Sequence, residues 1–186
     1  MSGATREELL AILANPPLTQ GTRTLRRVEL AADLLGFARV HVVNLFALPS
    51  HTTGEIAVLG VDEGGWLTAR ESLGACLETA QGVLLAYGAK PPVGIARLHF
   101  GSQVEWLHGS ITEHQLPSWH VGDGPRHPSR WQRWTHREHP GVPFADALRS
   151  SFIPVHADPA QSPGRFRQIS CDDKVSLSRV RSDSEG

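Results

Sequence analysis

Just past Gly36 the chain carries a short apolar run, Val40-His41-Val42-Val43-Asn44-Leu45-Phe46-Ala47-Leu48, with one amide set in its middle. A run this rich in β-branched residues, closed by Pro49-Ser50, predicts a strand buried on both faces at the centre of a parallel sheet. Asn44 is then the anomaly. Burying an amide without partners costs roughly 1–3 kcal/mol, so its side chain either satisfies neighbouring backbone or faces a site.

The rest of the chain repeats this alternation. Leu9-Leu10-Ala11-Ile12-Leu13-Ala14 stops at Asn15-Pro16-Pro17, which neither a helix nor a central strand continues through, and reads as a first strand. Leu25, Val28, Ala32 and Leu35 recur at helical spacing up to Gly36, with Thr22 or Thr24 as the cap. From Ser50 to Trp66 the Gly- and Thr-rich composition predicts a surface loop with room for a small hairpin. Thr68-Ala69-Arg70-Glu71 fits a capping box opening a second helix with Leu73, Leu77 and Ala80 on its apolar stripe. Gly82 to Tyr87 is the third strand, Pro91-Pro92 starts a third helix, and Ser118-Trp119-His120-Val121 is the fourth strand. From Pro154 onward Ser, Pro, Asp and Arg follow without periodicity, which predicts a disordered tail over 154–186 behind a single domain over 1–153. The predicted fold is a three-layer α/β/α domain around a mainly parallel four-stranded sheet with right-handed crossovers.

Composition removes several function classes. A net charge of −1 excludes an overall pull toward nucleic acid or acidic membrane, so such binding would need a local patch. Two cysteines form no disulfide framework and no zinc spacing, which suits a reducing cytoplasm. No apolar run approaches the ~20 residues of a membrane span, and the N-terminus does not resemble a signal peptide. A monomeric cytoplasmic protein is expected. His136-Arg137-Glu138-His139 lacks the zincin spacing, and no Gly-x-Gly-x-x-Gly, Gly-Lys-Ser/Thr or Gly-x-Ser-x-Gly motif occurs. Neither a metal nor an organic cofactor is expected.

In open parallel sheets ligands sit beyond the carboxyl ends of the strands. Asn15, Asn44, Gly88-Ala89-Lys90 and His127 all fall there. Asn15 holds a ligand or a water, or is a plain turn residue. Asn44 reads a nucleobase edge with its paired donor and acceptor, or satisfies sheet backbone. His127, on the Arg126-His127-Pro128-Ser129 loop, stabilises negative charge or passes a proton, or is a surface histidine. Arg126, Arg130, Arg133 and Arg137 with Trp131 and Trp134 suit a phosphate backbone and an unstacked base, or form a solvated helix.

The segments Ala14-Asn15-Pro16-Pro17, His41 to Leu48, Val83 to Ala89 and Pro125-Arg126-His127-Pro128 resemble a bacterial family of unknown function with an Asn-Pro-Ser-Thr loop, a Val-Val-Asn-Leu-Phe-Ala strand and an Arg-His-Pro loop. More distantly the same segments are similar to the uracil-DNA glycosylase superfamily. That resemblance implies an N-glycosidic-bond hydrolase acting on nucleic acid or a nucleoside. Asn15 would hold the attacking water, Asn44 and Tyr87 would bind the base, and His127 would stabilise the departing anion. Arg126, Pro128, Ser129, Arg130 and Trp131 would hold the nucleic-acid backbone. Pro17 and Tyr87 depart from the usual Ser and Trp, and Asn15 leaves the first loop without a carboxylate. The alternative is a non-catalytic nucleobase or nucleic-acid binding module.

Overall fold

Leu9, Ala11 and Ile12 are sealed from solvent because their strand lies inside a sheet. In the computed structural model, which describes residues 6–18, 20–50 and 52–156, β1 (Arg6–Leu13) pairs in parallel with β2 (Phe37–Asn44) on one side and β3 (Gly82–Leu85) on the other. Next to β3 runs β4 (Ser118–Val121), also parallel, and the last strand, β5 (Phe152–His156), is antiparallel to β4. The sheet order is β2-β1-β3-β4-β5.

Successive strand residues point to opposite faces, which divides the core in two. Leu10, Ile12, Val83 and Leu85 meet Leu73 and Leu77 of α3 (Gly64–Leu77) and Leu107 and Ile111 of α4 (Ala96–Glu113). This face also takes Ile56 of the single-turn α2 (Ile56–Leu59). Leu9, Ala11, Leu13 and Leu84 meet Val28, Ala31 and Ala32 of α1 (Thr22–Leu35), Trp131 of α5 (Trp131–Glu138) and Leu148 of α6 (Phe144–Arg149). The result is a three-layer α/β/α arrangement.

Several boundaries differ from the expectations, each for a physical reason. The apolar run that reads as a central strand lies at the sheet edge: Ala38, Arg39 and His41 are exposed, and the strand ends at Asn44. β-branched composition reports a pleated surface, not its position in the sheet. The sheet has five strands, because Pro154 sits where an antiparallel edge tolerates it. The domain boundary at 153 therefore moves past His156, and the remainder of the predicted tail, 157–186, lies outside the described residues. The stretch from Ser50 to Trp66 is not a plain loop. It holds a 3-10 turn (Thr53–Glu55), α2 and the start of α3, which begins four residues before the supposed capping box, with Asp62 Oδ1 accepting from Gly64 N at 2.7 Å. Pro91-Pro92 precedes α4 without joining it. Neither Thr22 nor Thr24 caps α1; its N-cap is Gly21, while Gly36 closes it in the left-handed conformation, as its sequence position suggests. Among the described residues no helix is long and apolar enough to cross a membrane.

Two glycines of α3 separate packing from propensity. A Cβ on Gly65 would collide with the Phe46 ring, whereas one on Gly74 would meet nothing within 4 Å. Gly74→Ala is expected to raise stability by about 0.5–1 kcal/mol, and Gly65→Ala to lower it by about 1–3 kcal/mol, read from urea unfolding midpoints.

Candidate functional site

Because β1 to β4 run in parallel, the loops leaving their carboxyl ends share one rim, and there they enclose a cleft of about 1250 Å³. Asn15, Asn44, Tyr87, Arg126, His127, Ser129 and Arg130 all line it. The first loop is clamped by its own amide: Asn15 Nδ2 donates to Ser50 Oγ at 2.7 Å and to the Pro16 carbonyl at 3.1 Å. Ser50 Oγ donates onward to the Thr52 carbonyl at 2.7 Å. These bonds commit the nitrogen of Asn15 and leave its oxygen as the acceptor facing ligand or water.

Asn44 pairs with Leu13 in the ladder, so the second amide stands beside the end of β1. Its Oδ1 is buried with no hydrogen-bond partner among the described residues. An acceptor left open in this position is free to take a donor from water or from a ligand. The segment behind it is held from the helical layer. Buried Gln103 donates Nε2 to the carbonyls of Leu45, at 2.9 Å, and Trp66, at 3.2 Å, and accepts from Arg70 Nε at 2.7 Å. Tyr87 is buried between sheet and α4, edge to face with Phe100 at 6.0 Å, and burial pushes its phenol up to about 12, so the hydroxyl stays protonated.

His127 caps the 3-10 turn Pro128–Arg130 with its own ring. Ser129 N donates to Nδ1 at 3.2 Å, and Ser129 Oγ lies 2.9 Å from the same nitrogen. With Nδ1 accepting, the neutral ring carries its proton on Nε2. Desolvation by burial lowers the His127 pKa, and the positive charges of Arg130 and Arg27 lower it further. Arg27, from α1, reaches across to donate to the Pro128 carbonyl at 2.9 Å and to Gln132 Oε1 at 2.8 Å.

The cleft wall is cationic. Lys90, Arg126, Arg130, Arg133 and Arg137 line it, with His127 and His136, and among the described residues no Asp or Glu lines it. Arg126 is the most restrained of the five, paired with Asp123 at 2.6 Å and lying over the Trp134 ring at 5.4 Å. Trp134 in turn packs on Gly122, where a Cβ would come within 2.6 Å of the indole and where φ is +75°.

Two expected site residues lie elsewhere. Trp131 is 0% exposed in the core, its indole N–H spent on the Arg126 carbonyl at 2.8 Å, so it offers no face to a base. Pro128 is buried and does not line the cleft. The sequence reasoning missed Ser50, Arg27 and Gln103. Their roles depend on contacts 35, 101 and 58 residues away, which no local pattern encodes. Among the described residues no three His, Cys, Asp or Glu side chains gather as a metal-binding group. Comparison of the chain with protein-family models, curated proteins and solved structures finds no match.

The lowered His127 pKa has a definite sign. The unfolded chain takes up the proton near the ordinary value of 6.5 while the folded ring resists it, so this contribution to stability is present above that pH. It is lost as the pH falls through the lower folded value. NMR titration should show His127 losing its neutral form at a lower pH than an ordinary histidine, with Arg130→Gln moving the midpoint back up.

Proposed function

We propose that the cleft holds a nucleobase together with its phosphates and that the protein cleaves the N-glycosidic bond of that unit. The observation that carries this reading is the combination of a neutral His127, whose spare N–H is the Nε2 donor, with the orphaned Asn44 acceptor in a cleft whose charged lining, among the described residues, is cationic. A departing base takes the electron pair of its bond to C1′ and becomes anionic. A donor already neutral and held in place stabilises that charge without the cost of reorientation. Asn44 accepts from an N–H on the base edge, and the free oxygen of Asn15, steadied through Ser50, orients a water toward C1′. The hydroxyl of that water ends on C1′ and its proton on the released base, so no metal or organic cofactor enters the balance. Arg130 and Arg133, exposed on the wall, offset the phosphate charge.

A second reading rests on a different observation. Among the described residues no carboxylate lines the cleft to polarise a water strongly, which favours a nucleobase or nucleic-acid binding module without turnover.

Oligonucleotides carrying uracil, hypoxanthine or alkylated bases, and the matching free nucleosides, separate the two. Hydrolysis that falls by about 10²-fold or more in His127→Ala and in Asn44→Ala is expected for the enzyme. Turnover unchanged in both variants would reject these site roles. Binding without base release, weakening as salt rises, identifies the binding module; there Arg130→Gln should lower the slope of log K against log salt by roughly one.

A further inference from the structure

Behind Tyr87, on the face of the sheet covered by α2 and α4, lies a second and smaller pocket of about 200 Å³. Trp66, Tyr87 and Phe100 form its aromatic wall, and Ala57, Pro92 and Val93 are among its aliphatic lining. Among the described residues Lys90 is its only charged lining residue. Tyr87 and Lys90 also line the large cleft, so the two spaces share a wall. Trp66 and Phe100 meet edge to face at 6.2 Å, as do Tyr87 and Phe100 at 6.0 Å, and Trp66 also packs on Phe46 at 4.7 Å; Trp66 and Tyr87 are buried, so half-buried Phe100 is the ring most open to a ligand. The opposite wall is stiff: Pro91 and Pro92 have fixed φ, and the loop turns in and out at Gly88 (φ +100°) and Gly94 (φ +70°).

This pocket lies below the roughly 300–1,000 Å³ of sites that hold drug-sized ligands, so it has room for one ring system and no attached sugar-phosphate. Its lining suits a flat, mostly uncharged heterocycle, and its one cation sits where it borders the cationic cleft. We propose that it is a second base subsite, which takes the unpaired base adjacent to the one bound in the cleft, so that the ligand is at least a two-nucleotide stretch of single strand. The inference rests on the reading of the large cleft as a base-and-phosphate site. Aromatic side chains bind successive unstacked bases with little regard to sequence, and a phosphate between the two bases would lie near Lys90.

The test is calorimetric binding of thymidine 5′-monophosphate and of 5′-phosphorylated dithymidine to the full chain. The dinucleotide is expected to bind roughly tenfold tighter or more, a gain of the size that one stacked base supplies. Val93→Trp fills the pocket from a side chain that is 72% exposed and therefore tolerant of change. Phe100→Ala removes one aromatic wall. Both should reduce the dinucleotide advantage to near unity while leaving mononucleotide affinity as in the wild type. An advantage that survives both substitutions overturns the subsite and leaves the cleft reading standing, as does equal wild-type binding of the two ligands. Mononucleotide binding weakened by Val93→Trp also overturns it, because the pocket would then hold the single base. If the wild type binds neither ligand, the cleft reading and the subsite fall together.

Discussion

Hydrogen bonding of β1 to two parallel neighbours is the constraint on which the rest of this protein depends. Parallel strands deliver all their carboxyl ends to one rim, and the ladder continues beyond the strands themselves. Leu45 N and Phe46 N still donate to the carbonyls of Leu13 and Ala14, and Ala86 N donates to that of Ile12. Those bonds carry the backbone of three segments into the cleft in a fixed order. Asn15, Asn44 and Tyr87 follow directly from that placement. Gly88 N, donating to the Pro125 carbonyl, ties in the fourth segment, and His127 stands two residues beyond. The site is thus assembled by main-chain pairing, and the side chains that support it, Ser50, Arg27 and Gln103, tighten what the sheet has already brought together.

Charge is arranged against the average of the chain. A protein of net charge −1 places five cationic side chains and, among the described residues, no carboxylate along one cleft. The acidic partners that are present sit behind the arginines. Asp123 holds Arg126, and Glu138 lies 2.7 Å from Arg137, so part of the positive wall is fixed and part, Arg130 and Arg133, remains available. Burial first, and then the charges of Arg130 and Arg27, lower the pKa of His127, and its hydrogen-bonding role is decided by Ser129 on one nitrogen. Anion attraction and a neutral donor coexist here because they are supplied by different residues.

Much of this was legible in the amino-acid order, and the failures have physical causes. Short apolar runs stopped by Pro or Gly located β1, β3 and β4, and the loop residues after them marked the rim. The β2 run misled because Val40 to Val43 would suit a central strand equally well, and only the topology makes it an edge. Phe152, Ile153 and Val155 are apolar, but Pro154 interrupts them and the run is short, so the sequence does not announce an antiparallel edge strand held by pairing with β4 and by Phe152 against the core. Trp131 and Trp134, three positions apart, share one face of α5 and both pack on the same core cluster, but Trp131 is fully buried while Trp134 is only partly buried and also lines the cleft. The helical period predicts that the segment has an inner face without saying how deeply each tryptophan on it is buried.

The edge position of β2 has a consequence for how this site is inherited through mutation. Val40 and Val42 are only partly covered, so hydrophobic burial by itself does little to resist slippage of that strand against β1. What pins it is Phe37 at one end, seated over Gly82 and against Trp119, and Leu45 and Phe46 at the other. A displacement of one residue would swing Asn44 to the opposite surface of the sheet while leaving the hydrogen-bond ladder complete. The place of Asn44 in the cleft is therefore only as secure as an aromatic anchor seven residues upstream, and an insertion near Ala38 would turn that amide away from the cleft in a protein that still folds.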